Sequence, residues 1–109
     1  MTSNNGNIFE NIPKEMPDEL VEILAASTNV RIERIVSNGD KSPEGFWYDQ
    51  PLDEWVILLS GEATLEFADG KTVCMLPGDY IHIPAHEKHR VARTASDINS
   101  VWLAVHYKA

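Results

Sequence analysis

One acid stands where an acid is expensive. Glu54 lies in Asp53-Glu54-Trp55-Val56-Ile57-Leu58-Leu59, a run that reads as a strand. Residues two apart on a strand face the same side, so the Glu54 carboxylate shares a face with Val56 and Leu58. An ionised carboxylate among apolar side chains needs a metal, a cation or several donors to compensate it. Tyr48 and Gln50 also share a face, with Asp49 pointing away and a turn at Pro51 before Glu54. Carboxylate, phenol and imidazole together are groups that move protons when burial shifts their pKa values.

Other reactive residues carry less. His82, in Ile81-His82-Ile83, reads as an exposed or structural donor, and His86 as a solvated loop residue. His106 shares a strand face with Trp102 and Ala104; packing or an interface accounts for it, and lining a pocket is the alternative. Cys74, in Thr72-Val73-Cys74-Met75-Leu76, has no His or Lys beside it and is predicted to be a small core residue. No Gly-x-Ser-x-Gly elbow, phosphate-binding glycine loop or paired cysteine motif occurs.

These residues must be positioned by strands. Segments of strand character run over 30–36, 46–48, 55–59, 63–67, 72–76, 80–83, 89–93 and 101–107, separated by turn signals at Asn38-Gly39, Ser60-Gly61, Asp69-Gly70 and Pro77-Gly78-Asp79. Eight short strands at this spacing predict an antiparallel sandwich or barrel. Ahead of them, Pro17-Asp18-Glu19 with Leu20, Ile23 and Leu24 after it predicts a short helix over about 17–26. Residues 1–7 read as a disordered tail and 8–109 as a single domain, with the barrel over about 30–107; the length allows one core.

Glu54 followed after six residues by Gly61, then Pro77-Gly78-Asp79-Tyr80-Ile81-His82-Ile83-Pro84-Ala85-His86-Glu87-Lys88-His89, resembles the two motifs of the cupin family. The resemblance covers about Gly45 to Tyr107. It implies an all-β cupin double-stranded β-helix, a jelly-roll barrel, with Glu54 facing the interior and His89 as its partner. With Trp47-Tyr48-Asp49-Gln50 and Trp102-Leu103-Ala104-Val105-His106-Tyr107, the chain is similar to a subgroup of small single-domain bacterial cupins of unsettled function.

In that family a His-x-His pair, a Glu and a further His hold a divalent metal. Glu54 and His89 match two of those positions, whereas Tyr48 and Gln50 stand where two imidazoles are expected. The resemblance thus implies a divergent site, Glu54, His89, Gln50 and Tyr48, for Mn, Fe, Zn or Ni, with Glu54, His89 and Tyr48 as candidate catalytic groups. A metal-free polar pocket made of the same four side chains is the other reading. The implied function is a cupin that binds a metal, a small polar metabolite or both, whether as an isomerase, lyase or oxygenase or as a binding module without catalysis. A scaffold that only mediates interactions is the third class.

Composition narrows the partners. A formal charge of -8 repels nucleic acid and anionic membrane surfaces, so neither is expected. One cysteine, and no signal-like or membrane-spanning stretch, predict a cytoplasmic protein. Trp55, with Ile57 and Leu59, lies on the face opposite Glu54; an apolar outer surface in a chain this small predicts a twofold homodimer.

Overall fold

The computed structural model describes residues 5–108. It is all-β: β1 (Leu20–Ala26), β2 (Val30–Ser37), β3 (Asp53–Ser60), β4 (Ala63–Phe67), β5 (Thr72–Met75), β6 (Tyr80–Ile83), β7 (His89–Thr94) and β8 (Ser100–Tyr107). A five-stranded sheet ordered β1-β2-β8-β3-β6 faces a three-stranded sheet ordered β5-β4-β7, with all pairings antiparallel. The core lies between them. Val56, Leu58, Ile83, Trp102 and Ala104 from the larger sheet meet Ala63, Leu65, Phe67 and Met75 from the smaller. The alternation read in the sequence holds: Glu54, Val56 and Leu58 are buried, whereas Trp55 and Ile57 are only half-buried.

The motif turns fasten this frame. Gly61 joins β3 to β4 at φ 88°, and a side chain there would overlap Ser100, so glycine is required on two grounds. The Pro77-Gly78-Asp79 turn docks on β3: Gly78 N–H donates to the Leu58 carbonyl (2.7 Å), and Leu58 N–H donates to that of Asp79 (3.0 Å).

Three sequence expectations are corrected. Among the described residues there is no helix, and 20–26 is the edge strand β1, paired along β2 with a bulge between Ile23 and Ala25. The ten residues expected as helix make less than three turns, too few to be stable alone, whereas pairing with β2 satisfies the backbone and suits β-branched Val21 and Ile23. The strand expected over 46–48 reduces to one bridge, Tyr48 to His89. Cys74 is exposed, because on β5 it is Met75 that turns into the core. Of the tail expected over 1–7, residues 1–4 lie outside the described residues, and 5–7 have no regular structure. The stretch from Ile8 onward is fixed to the sheet: Arg34 donates to the carbonyls of Ile8 (3.2 Å) and Glu10 (2.5 Å) and pairs with Glu22. Phe9 in this stretch is 53% exposed. Among the described residues no helix is long and apolar enough to cross a membrane.

Candidate functional site

Residues opposite each other in an antiparallel sheet point to the same face, so the register arranges the inner side of the large sheet in rows. Arg31, His106, Glu54 and Ile83 form one row, Glu33, Ala104 and Val56 the next, and Ile35, Trp102 and Leu58 the third. Polarity is confined to the first row and to Glu33. Between this sheet and the smaller one lies a cavity of about 250 Å3. Its polar wall is formed by Glu19, Arg31, Glu33, Tyr48, Gln50, Glu54, His89 and His106, and its apolar wall includes Val56, Leu65, Ile83, Val91 and Trp102.

Glu54 is central. Its Oε1 lies 3.5 Å from His89 Nε2 and accepts a hydrogen bond from the Gln50 amide nitrogen at 3.1 Å. Its Oε2 lies 3.9 Å from His106 Nε2. Both Glu54 and His89 are more than nine-tenths buried. Burial would raise the Glu54 carboxyl, but the His89 hydrogen bond, the His106 and His89 charges and the Gln50 amide together bring it below the usual value. Burial would likewise lower His89, and Glu54 with the Glu87 carbonyl reverses that and raises it. Each group therefore favours the other's charged form, a base set next to an acid.

Local structure orients these groups. His89 Nδ1 lies 2.9 Å from the Glu87 carbonyl, so it carries a proton and turns Nε2 towards Glu54. Tyr48 and His89 exchange backbone hydrogen bonds of 2.7 and 3.2 Å, and their rings stack at 5.4 Å. Burial, then the charges of Glu19 and Glu54, push the Tyr48 phenol up; it stays protonated and serves as a donor.

The four residues singled out in the sequence are thus brought together, but the set does not fit a resident divalent metal. Tyr48 would offer a phenol that must first lose its proton and Gln50 a neutral amide oxygen, both weaker ligands than an imidazole. Among the described residues no three His, Cys, Asp or Glu side chains are grouped to hold an ion. Glu54 and His89 alone fall short of the three protein ligands a catalytic metal ordinarily has.

The remaining histidines divide. His82 is on the outer face, 3.4 Å from Asp53, and His86 is at the rim, 2.8 Å from Asp49. His86 has φ 65°, a left-handed conformation that favours glycine. His106, expected to serve packing or an interface, lines the cavity, with Nε2 3.0 Å from Glu33 Oε1. Glu33 in turn accepts a hydrogen bond from Arg31 Nε at 2.9 Å. Sequence reasoning missed Glu33 and Arg31; the available signal was their alternation with Ile35 along β2.

A two-sheet antiparallel barrel with a buried Glu and His at the starts of β3 and β7 defines a jelly-roll protein. The chain belongs to the cupin family: the cupin-domain profile matches residues 35–106, from within β2 to β8. It is similar to the crystal structure of a Ralstonia eutropha JMP134 protein designated, provisionally, a mannose-6-phosphate isomerase. The two are 49% identical over 96% of this chain and 98% of that one, with a TM-score of 0.92. A cupin superfamily protein from Desulfitobacterium hafniense DCB-2 is 22% identical over 90% of this chain and 84% of its own (TM-score 0.74). The polyketide cyclase RemF from Streptomyces resistomycificus is 19% identical over 85% and 67% (TM-score 0.70). These two likenesses show the fold alone. No curated protein matches the chain.

Proposed function

We propose that the barrel cavity binds a small polar metabolite and that Glu54 and His89 transfer protons on it, as in an isomerase or lyase. The observation that carries this is the buried Glu54–His89 pair, 3.5 Å apart on the wall of a cavity of about 250 Å3. Glu54, ionised, takes a proton from a carbon beside a carbonyl, while the His89 imidazolium gives one to the carbonyl oxygen. Tyr48, protonated and stacked on His89, donates a hydrogen bond to the same oxygen. The designation of the Ralstonia protein as an isomerase supports the reaction class.

The test is a thermal-shift screen of small polar metabolites, mannose 6-phosphate included, against wild type, Glu54→Gln and His89→Ala. A ligand should stabilise the wild type alone, and its carbon-bound proton should exchange in heavy water. A ligand held equally by all three proteins would overturn the assignment. Metal is tested separately by mass spectrometry of untagged protein, where Mn, Fe, Zn and Ni should be far below one per chain.

The same reading takes residues 8–109 as one domain of a cytoplasmic homodimer. Support for the dimer comes from the outer face of the large sheet, where the Trp55 and Tyr80 rings meet at a tilt with centroids 5.6 Å apart and Tyr80 is 66% exposed. Light scattering giving a monomer mass at micromolar concentration would remove the dimer.

A further inference from the structure

Among the described residues, three buried side-chain nitrogens lack a hydrogen-bond partner: Arg90 Nε, Trp102 Nε1 and His106 Nδ1. Arg90 is outside the cavity, and its other nitrogens bond Glu66 and Ser42. Trp102 and His106 are different. Both line the cavity, both are on β8 with their side chains on one face, and they are 4% and 5% exposed. A buried donor or acceptor left unmade costs about 1–3 kcal/mol, and two on one cavity wall point to a ligand that supplies the missing partners.

We propose that Trp102 and His106 are specificity residues of the cavity and that they select a short-chain, uncharged hydroxycarbonyl compound. This deepens the small-molecule reading above and rests on it. The indole N–H can only donate, so it requires an oxygen acceptor. His106 Nε2 faces the Glu33 and Glu54 carboxylates at 3.0 and 3.9 Å and so carries a proton. His106 Nδ1 is then a lone pair when the ring is neutral and an N–H when it is charged. A hydroxyl answers either state, because it both donates and accepts.

Charge and size restrict the class further. Glu33 is paired with Arg31 and Glu54 with His89, while Glu19 accepts from the Ser37 hydroxyl at 2.9 Å. Arg31 and His89 are thus already paired, and a phosphate or second carboxylate would meet three acidic side chains on the wall. A cavity of about 250 Å3 holds roughly eight water-sized groups at ~30 Å3 each, which suits a short hydroxyketone or hydroxyaldehyde.

The experiment is nitrogen-15 NMR of the full chain with assigned indole resonances, titrated with erythrulose and dihydroxyacetone. Butanone, which lacks hydroxyls, and malonate, which is charged, are the controls. The Trp102 indole signal of the wild type should move saturably with the hydroxyketones. Trp102→Phe and His106→Gln should each weaken erythrulose binding about tenfold, and both controls should bind at least that much more weakly. A Trp102 signal unmoved by both hydroxyketones, or moved more by malonate, overturns the inference, and this readout needs no variant to fold. Binding that depends on Glu54 and His89 but leaves Trp102 unmoved refutes the specificity assignment while keeping the acid–base pair. Saturable binding indifferent to all four substitutions refutes both.

Discussion

The same three strands, β2, β8 and β3, build both the most polar and the most apolar part of the interior. At one end the register aligns Arg31, His106 and Glu54; four residues along each strand it aligns Ile35, Trp102 and Leu58. Backbone geometry is the same in both rows, so the difference is purely one of side chains. The apolar row closes the core, with Leu58 fully buried. The polar row spends its burial on groups that satisfy one another in pairs, and the cavity lies where that pairing replaces packing. A buried polar row of this kind adds little net stability relative to an apolar one, but it is costly to break from one side.

The comparison can be broken at either end. At the apolar end, Leu58→Ala should cost about 3 kcal/mol in urea denaturation, the largest effect expected for any of these variants. At the polar end, Glu54→Gln should cost only about 1 kcal/mol, because the amide oxygen still accepts a hydrogen bond and His89 can shed its charge, but should lower ligand binding at least tenfold, a separation of stability from function that Leu58→Ala should lack. Equal stability losses in the two variants would mean the polar row is structural.

Acidity sharpens the comparison. The Glu54 pKa is lowered from 4.5, so its contribution is present above that value and lost as pH falls through the folded one. The His89 pKa is raised from 6.5, so its contribution is present below that value and lost as pH rises through the folded one. The pair should therefore contribute most between about pH 4.5 and about pH 6.5, and His89→Ala should flatten this part of the stability profile while Leu58→Ala shifts it uniformly. The smallest effect belongs to the rim: His86→Gly, which relieves a positive φ but loses the Asp49 contact, should stabilise by about 0.5 kcal/mol.

Much of the frame was legible because a strand's period of two is local. Glu54, Val56 and Leu58 share the inner face as the alternation required, and β4 and β6 begin and end where the sequence placed them. Turn chemistry at Gly61 and Pro77-Gly78-Asp79 is equally local. Failures came where more than one local pattern fitted. Leu20, Ile23 and Leu24 match a helix face, while Val21 and Ile23 match a strand; pairing with β2 decided between them. Cys74 was read by its neighbours' hydrophobicity, and only the direction of β5 shows that it points outward.

By itself, then, the chain determined the all-β architecture, the inward carboxylate and the association of Glu54, His89, Tyr48 and Gln50 through motif resemblance, since each depends on residues close in sequence or on a recurring pattern. Tertiary structure alone decided that Glu54 and His89 stand 3.5 Å apart, each favouring the other's charged form, and that the Gln50 amide nitrogen faces the carboxylate. It also decided that His106 and Glu33, 73 residues apart, complete the polar wall. The physical reason is that charge state and hydrogen-bond direction are set by neighbours in space, and strand register, which no single segment carries, chooses those neighbours.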